Sequence, residues 1–211
     1  MTHRSDPELL VLHSLRVKGF AEPGAVAEAT ALEEAEAAER LSVLRASELV
    51  GRRDGRISGF FLLPRGKELH AELLAQDRVA ADAHVAVDRA YSAFLDHNET
   101  FKVLCTDWQL RTVAGKQVPN DHGDWKYDAA IATRLTRLQP LVAAVLDELA
   151  AGLTRFAPYT GRLRDAVTRF TAGDASALAR PLSRSYHDVW MELHEDFLVT
   201  LGRDRSEADG F

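Results

Sequence analysis

The chain has 211 residues, 46% of them hydrophobic and 27% charged, which is enough apolar material for one large core or two small ones. A formal net charge of −6 excludes the basic excess of a dedicated nucleic-acid-binding protein, and a single cysteine, Cys105, excludes an intrachain disulfide framework. Residues 1–7 lack the apolar core of a signal peptide, and uninterrupted apolar runs such as residues 141–146 are far too short for a bilayer, so a cytoplasmic protein with no membrane partner is expected.

Asp6-Pro7 reads as a helix N-cap followed by proline in the first turn, ahead of an apolar run over 9–17 that Gly19 stops. A second helix is predicted over 23–29 and a third over 33–46, where Ala37, Leu41 and Leu44 recur at helical spacing. Residues 48–50 read as a strand, 52–56 as a turn with the Asp54-Gly55 hairpin signal, and 57–63 as the return strand. Pro64 opens a further helix. Three helices, a hairpin and a helix is the order of a winged helix-turn-helix. The expected organisation is therefore a mainly α protein. A winged helix-turn-helix domain with one β-hairpin occupies 1–78, and an α-helical bundle that binds a ligand occupies 79–211.

From residue 80 the pattern is wholly helical, and a continuous helix over 66–110 would join the two halves. Val87, Tyr91, Phe94, Asn98, Phe101, Cys105 and Trp108 recur at spacings of four and three, a packing seam. A polar loop with Gly115, Pro119 and Gly123 follows. Tyr127, Ile131, Leu135, Leu138, Val142, Val145 and Leu149 form a second seam, with a kink expected at Pro140. Residues 152–161 read as a break, 162–171 as a shorter helix, and 181–201 as the last helix, stopped by Gly202.

Charge argues against strong DNA binding. The helix that would enter the major groove carries Glu33, Glu34, Glu36 and Glu39 against Arg40 and Arg45, and carboxylates repel phosphates. Residues 1–78 hold eleven Lys and Arg against thirteen Asp and Glu, a net of −2. Those glutamates also suit a helix N-terminus, so a structural role stands beside lost DNA reading. Arg52, Arg53 and Arg56 on the hairpin are the candidate phosphate contacts. A solvated hairpin is the alternative.

The C-terminal half places polar groups on apolar seams. Asn98, Cys105, Trp108 and Gln109 cluster on one helix. Tyr186, His187, Trp190, Met191 and His194 cluster on the last. Asn120-Asp121-His122 sits in the loop. Buried polar groups need partners, so these residues form either a closed network or a pocket for a small molecule. In an enzyme, His187, His194, His122, Asp121 and Tyr186 would be the acid–base groups. No metal is expected: His187 and His194 lie two turns apart, about 10 Å along the axis, and no His pair has the close helical spacing of a zinc motif. Nor is there a phosphate loop or another cofactor signature.

The string Phe61-Leu62-Leu63-Pro64-Arg65-Gly66-Lys67 resembles the end of the wing in MarR-type regulators. Cys105-Thr106-Asp107-Trp108-Gln109, Pro119-Asn120-Asp121-His122 and residues 185–196 resemble strings in actinobacterial proteins labelled as transcriptional regulators. The resemblance implies a fold and a regulatory label, and no catalytic residue. Two functions follow. One is a ligand-responsive regulator, a homodimer that binds a small molecule and, weakly, duplex DNA. The other is a cofactor-free enzyme on a regulator scaffold, carrying out acid–base dehydration or cyclisation in natural-product biosynthesis.

Overall fold

The computed structural model describes residues 2–55 and 58–204. Within them the chain is mainly helical. It begins with α1 (Pro7–Lys18), α2 (Pro23–Thr30), α3 (Glu34–Ala46), β1 (Val50–Arg53), β2 (Gly59–Leu62) and α4 (Pro64–Ala81). The first helix starts as its sequence demands: the Asp6 carboxylate accepts a hydrogen bond from the Glu8 amide at 2.7 Å, and Gly19 closes the helix at φ 78°. Strands β1 and β2 pair antiparallel with Val50 opposite Leu62 and Arg53 opposite Gly59. The strand thus begins two residues later than expected, because Glu48 takes a left-handed conformation (φ 58°) as the chain leaves α3. Arg52 and Arg53 lie in the strand rather than in the turn. Arg56 lies outside the described residues.

Val11, Leu12, Leu15, Val26, Ala37, Leu41, Leu44, Val50, Phe60 and Leu62 form one core among these elements. Gly66 lets α4 approach it: a Cβ there would sit 2.0 Å from the Leu49 carbonyl oxygen.

The expected continuous helix is interrupted. Asp82, in a left-handed conformation (φ 45°), ends α4, and α5 (His84–Gln109) starts afresh. The expected polar loop after α5 is a second antiparallel hairpin, β3 (Leu110–Val113) and β4 (Lys116–Pro119). Ala114 and Gly115 both adopt positive φ, 49° and 77°, the backbone a tight two-residue hairpin turn needs.

The rest is α6 (Trp125–Gly152), a short 3-10 turn (Thr154–Phe156), α7 (Ala157–Thr171), α8 (Ser176–Ala179) and α9 (Tyr186–Leu201). The break expected over 152–161 is therefore shorter, with Gly161 inside α7. The last helix starts at Tyr186, where Ser185 and Asp188 form a capping box. Helix α6 runs through Pro140; Val145 packs partly buried against the core, as expected, and Leu146 beside it is fully buried. Among the described residues α6 alone is, by length and composition, apolar enough to cross a membrane, which short apolar runs did not reveal. Here its apolar face packs against α5 and α7 in a second core that also contains Phe94, Phe101, Phe156, Tyr186, Trp190 and Phe197.

Candidate functional site

Most residues that sequence logic assigned to a pocket fall in two separate places, and a third polar cluster holds none of them. In the first, the α5 and α9 seams meet as expected. The Trp190 indole N–H donates to Asn98 Oδ1 at 2.9 Å, and its ring lies 4.5 Å from both Phe94 and Phe101. His194 is fully buried, with Nε2 3.1 Å from the Tyr91 hydroxyl. His187 is half-buried against Phe101 at 6.2 Å, and burial lowers its pKa. Tyr186 is enclosed, its hydroxyl finds no hydrogen-bond partner among the described residues, and burial beside Cys105 raises its pKa. Burial pushes the half-buried Cys105 thiol up to about 12, which suits packing and not nucleophilic attack. Neither His187 nor His194 lines the main cavities among the described residues. This region is tightly packed aromatic core.

The second place is the end of the bundle at the β3–β4 hairpin. The His122 ring lies tilted against Trp108, centroids 4.2 Å apart, and its Nδ1 lies 3.0 Å from Asp128 Oδ2. The Asn120 amide donates to Asp128 Oδ1 at 3.0 Å and to the Trp108 carbonyl at 3.2 Å, fixing the carboxylate. Asp121 is exposed, 3.7 Å from Arg111, and Gln109 is exposed beyond the cluster. An oriented imidazole with an exposed edge is the only predicted acid–base group that reaches solvent with a carboxylate behind it.

The third place was not expected at all. It lies where α1 and α4 meet the 3-10 turn and α9. The Arg155 guanidinium is 6% exposed and donates to Asp196 Oδ1 and to the Thr200 hydroxyl, both at 2.5 Å. Tyr159 donates to Asp196 Oδ2 at 3.0 Å. From the other side, His13 Nε2 stands 3.0 Å from Asp196 Oδ1, and His13 Nδ1 stands 3.0 Å from His70 Nε2. Asp77 extends the chain: it accepts from Ser5 at 3.0 Å, lies 2.6 Å from His3 and faces Arg155 Nε at 3.9 Å. Two buried carboxylates thus share one guanidinium, and each also touches an imidazole. Burial opposes ionisation of Asp196, but the Arg155 and His13 charges outweigh it and hold the carboxyl well below its usual range. Burial, reinforced by His13, holds the His70 imidazole down at about 3, so it is neutral.

Sequence periodicity missed this network because its members are scattered over five elements. The one signal was His13, a polar residue inside the apolar run of α1, followed by His70 at a buried position of α4. Arg155 fell in a segment read as a break.

An open groove of about 640 Å³ runs beside the network, between α1, α2 and the N-terminal half of α9. Lys18, Arg162 and Glu192 form its floor, with Lys18 Nζ 2.6 Å from Glu192 and Arg162 bonded to the same carboxylate. Burial, then the Arg162 charge, lowers the Lys18 pKa. Met191, a predicted ligand contact, lines this groove. Among the described residues no cluster of three or more His, Cys, Asp or Glu is placed to hold a metal ion.

The supposed reading helix is acidic at its N-terminal end, where Glu33, Glu34, Ala35, Ala38 and Glu39 are exposed, while Ser42, Val43 and Arg45 are exposed towards its C-terminal end. Arg52 is committed to Glu22 at 3.1 Å and Asp54 at 3.0 Å, whereas Arg53, Arg65 and Lys67 are exposed. No protein-family model matches the chain, and no curated protein or solved structure matches it.

Proposed function

We propose that the chain is a winged-helix regulatory protein whose helical C-terminal half receives a small-molecule signal and transmits it to the N-terminal half. The N-terminal elements α1–α4 with the β1–β2 hairpin would be the winged helix. The observation that carries this reading is the buried polar chain from His70 through His13 to Asp196 and Arg155, with the open groove alongside it. Buried ionic networks contribute little net stability compared with apolar packing, so their value lies in fixing one arrangement of two parts that can be shifted. A ligand seated over Lys18, Arg162, Glu192 and Met191 would touch both halves, and an amphipathic molecule with an ionised group matches that lining. DNA contact would be weak and carried by Arg53, Arg65 and Lys67, without base reading by α3, in a homodimer.

Differential scanning fluorimetry against a panel of ionised small metabolites tests the reading, with anisotropy of a labelled random duplex as second readout. A compound that raises the melting temperature of wild type, fails on Met191→Glu and alters duplex binding supports it. A groove indifferent to every compound class, combined with no duplex binding at low salt, counts against it.

A second reading is favoured by one observation. His122, oriented by Asp128 and exposed at one edge, has the geometry of a general base. In that reading the protein is an acid–base enzyme, and His122→Ala lowers turnover about a hundredfold.

A further inference from the structure

We propose that Lys18 is a covalent capture site: its amine condenses with the carbonyl of an aldehyde that carries an apolar tail, and the imine lies in the groove between α1, α2 and α9. This rests on the reading of that groove as a ligand site, and it holds whether or not the protein binds DNA.

Charge at the groove floor is unbalanced. Lys18 closes α1, Arg162 projects from α7, and both bond the Glu192 carboxylate of α9, Lys18 Nζ at 2.6 Å from Oε1 and Arg162 through Oε2. Among the described residues neither cation has a second carboxylate in bonding contact. The three side chains are little exposed, 12% for Lys18, 8% for Arg162 and 16% for Glu192. Two enclosed cations therefore share one anion, and the surplus positive charge is poorly hydrated. The neighbours do not remove it. Glu28 on α2 acts on both cations but is bonded to Arg184, and Arg16 on α1 is paired with Glu195. A guanidinium stays protonated, so Lys18 is the group that can give up a proton. Burial, then the Arg162 charge, lowers its pKa accordingly.

Lys18 also lines the open groove of about 640 Å³, so a small molecule can reach its amine. Glu192, in contact with Nζ, is placed to carry protons. The condensation needs no reactant besides the aldehyde. The Lys18 ammonium passes one proton to Glu192, and the freed nitrogen pair attacks the carbonyl carbon. A C–N bond forms while the C=O π pair moves to oxygen, which takes that proton back from Glu192. Glu192 then removes a second proton from nitrogen and delivers it to the hydroxyl, which leaves as water while the nitrogen pair closes C=N. The third proton goes to solvent and leaves a neutral imine. The floor then holds one cation, Arg162, on one carboxylate, so capture discharges the surplus. Val17, Phe20, Leu182 and Met191 line the walls, which suits an aldehyde with a hydrocarbon tail.

Hexanal with cyanoborohydride, which reduces the imine to a stable secondary amine, tests this on the full chain at pH 7, read by peptide mass spectrometry. The chain has five lysines, and Lys67, Lys116 and Lys126 are exposed, so each protein carries its own standards. Lys18 should be alkylated at least about tenfold faster than these three, since each unit of lowered pKa multiplies the free amine tenfold. Its rate should also level off at a lower pH than theirs. Arg162→Gln leaves Lys18 a carboxylate to itself, and in the folded variant Lys18 should react no faster than the exposed lysines. A wild-type Lys18 that reacts no faster than Lys67, Lys116 and Lys126 overturns the proposal, as does a folded Arg162→Gln protein that keeps the full Lys18 rate. In either case a metabolite that raises the melting temperature of wild type and not of Met191→Glu leaves the groove standing as a non-covalent ligand site, and its absence removes both readings.

Discussion

His13 Nε2 lies 3.0 Å from Asp196 Oδ1, across 183 positions of sequence, and this contact ties the first helix of the chain to the last. Both side chains are almost fully buried. Removing one partner leaves the others charged and without water, the situation in which buried ion pairs become expensive. Asp196→Ala strips Arg155, His13, Thr200 and Tyr159 of their common acceptor. Urea denaturation should show a loss of about 3–5 kcal/mol. A loss below about 1 kcal/mol would mean that solvent or another carboxylate takes its place.

Stability should depend on pH in a defined direction. His70 has a folded-state pKa of about 3 against 6.5 in the unfolded chain, so the unfolded state binds its proton first as pH falls. Its contribution is constant above 6.5 and turns destabilising from there down to about 3. Between pH 7 and 5 the change is about 2 kcal/mol from this group, at 1.36 kcal/mol per unit. Asp196 acts in the same direction at lower pH, since its depressed carboxyl stabilises the fold above the unfolded pKa near 3.9 and loses that effect on acidification. Urea midpoints from pH 8 to 4 check this. Stability that rises on acidification below 6.5 would contradict the assignment.

Gly66→Ala should be severe although only one methyl is added. The new Cβ would stand 2.0 Å from the Leu49 carbonyl oxygen, and backbone on both sides cannot give way as a flexible side chain would. A loss of at least about 2 kcal/mol is expected from overpacking of this kind. A melting temperature equal to wild type would show that α4 can move off Leu49.

Much of the fold was legible because local chemistry declared it. Asp6-Pro7, Pro23, Asp54-Gly55 and Pro64 each mark a start or a turn, and the Asn98–Trp190 contact follows from two seams with helical spacing. The second hairpin was missed because Ala114-Gly115 is a weaker turn signal than Asp-Gly, and its strands, Leu110–Val113 and Lys116–Pro119, show no alternation of apolar and polar residues. The 3-10 turn and the α7 start hid behind Gly152 and Gly161, which suggested a longer break. The buried network was least legible of all. Its members lie as far apart as His3 and Thr200, and only three-dimensional packing brings their charges together.

Duplex binding should be weak at physiological salt. Arg53→Ala, Arg65→Ala and Lys67→Ala should each lower the salt slope by about one per lost phosphate contact. Arg52→Ala should matter less, since its guanidinium is held by Glu22 and Asp54. Anisotropy titrations at several salt concentrations measure this. Tight, sequence-specific binding indifferent to those cations would place the contact surface elsewhere.

The coupling of the two halves through His13 and Asp196 is tested most directly by a double-mutant cycle, with His13→Ala, Asp196→Ala and the double variant compared by urea denaturation at pH 7. Residues in direct contact within one network should show a coupling of about 1–3 kcal/mol, the double variant being less damaged than the sum of the singles. Additivity within about 0.5 kcal/mol would contradict the contact and, with it, the buried link on which the regulatory reading rests.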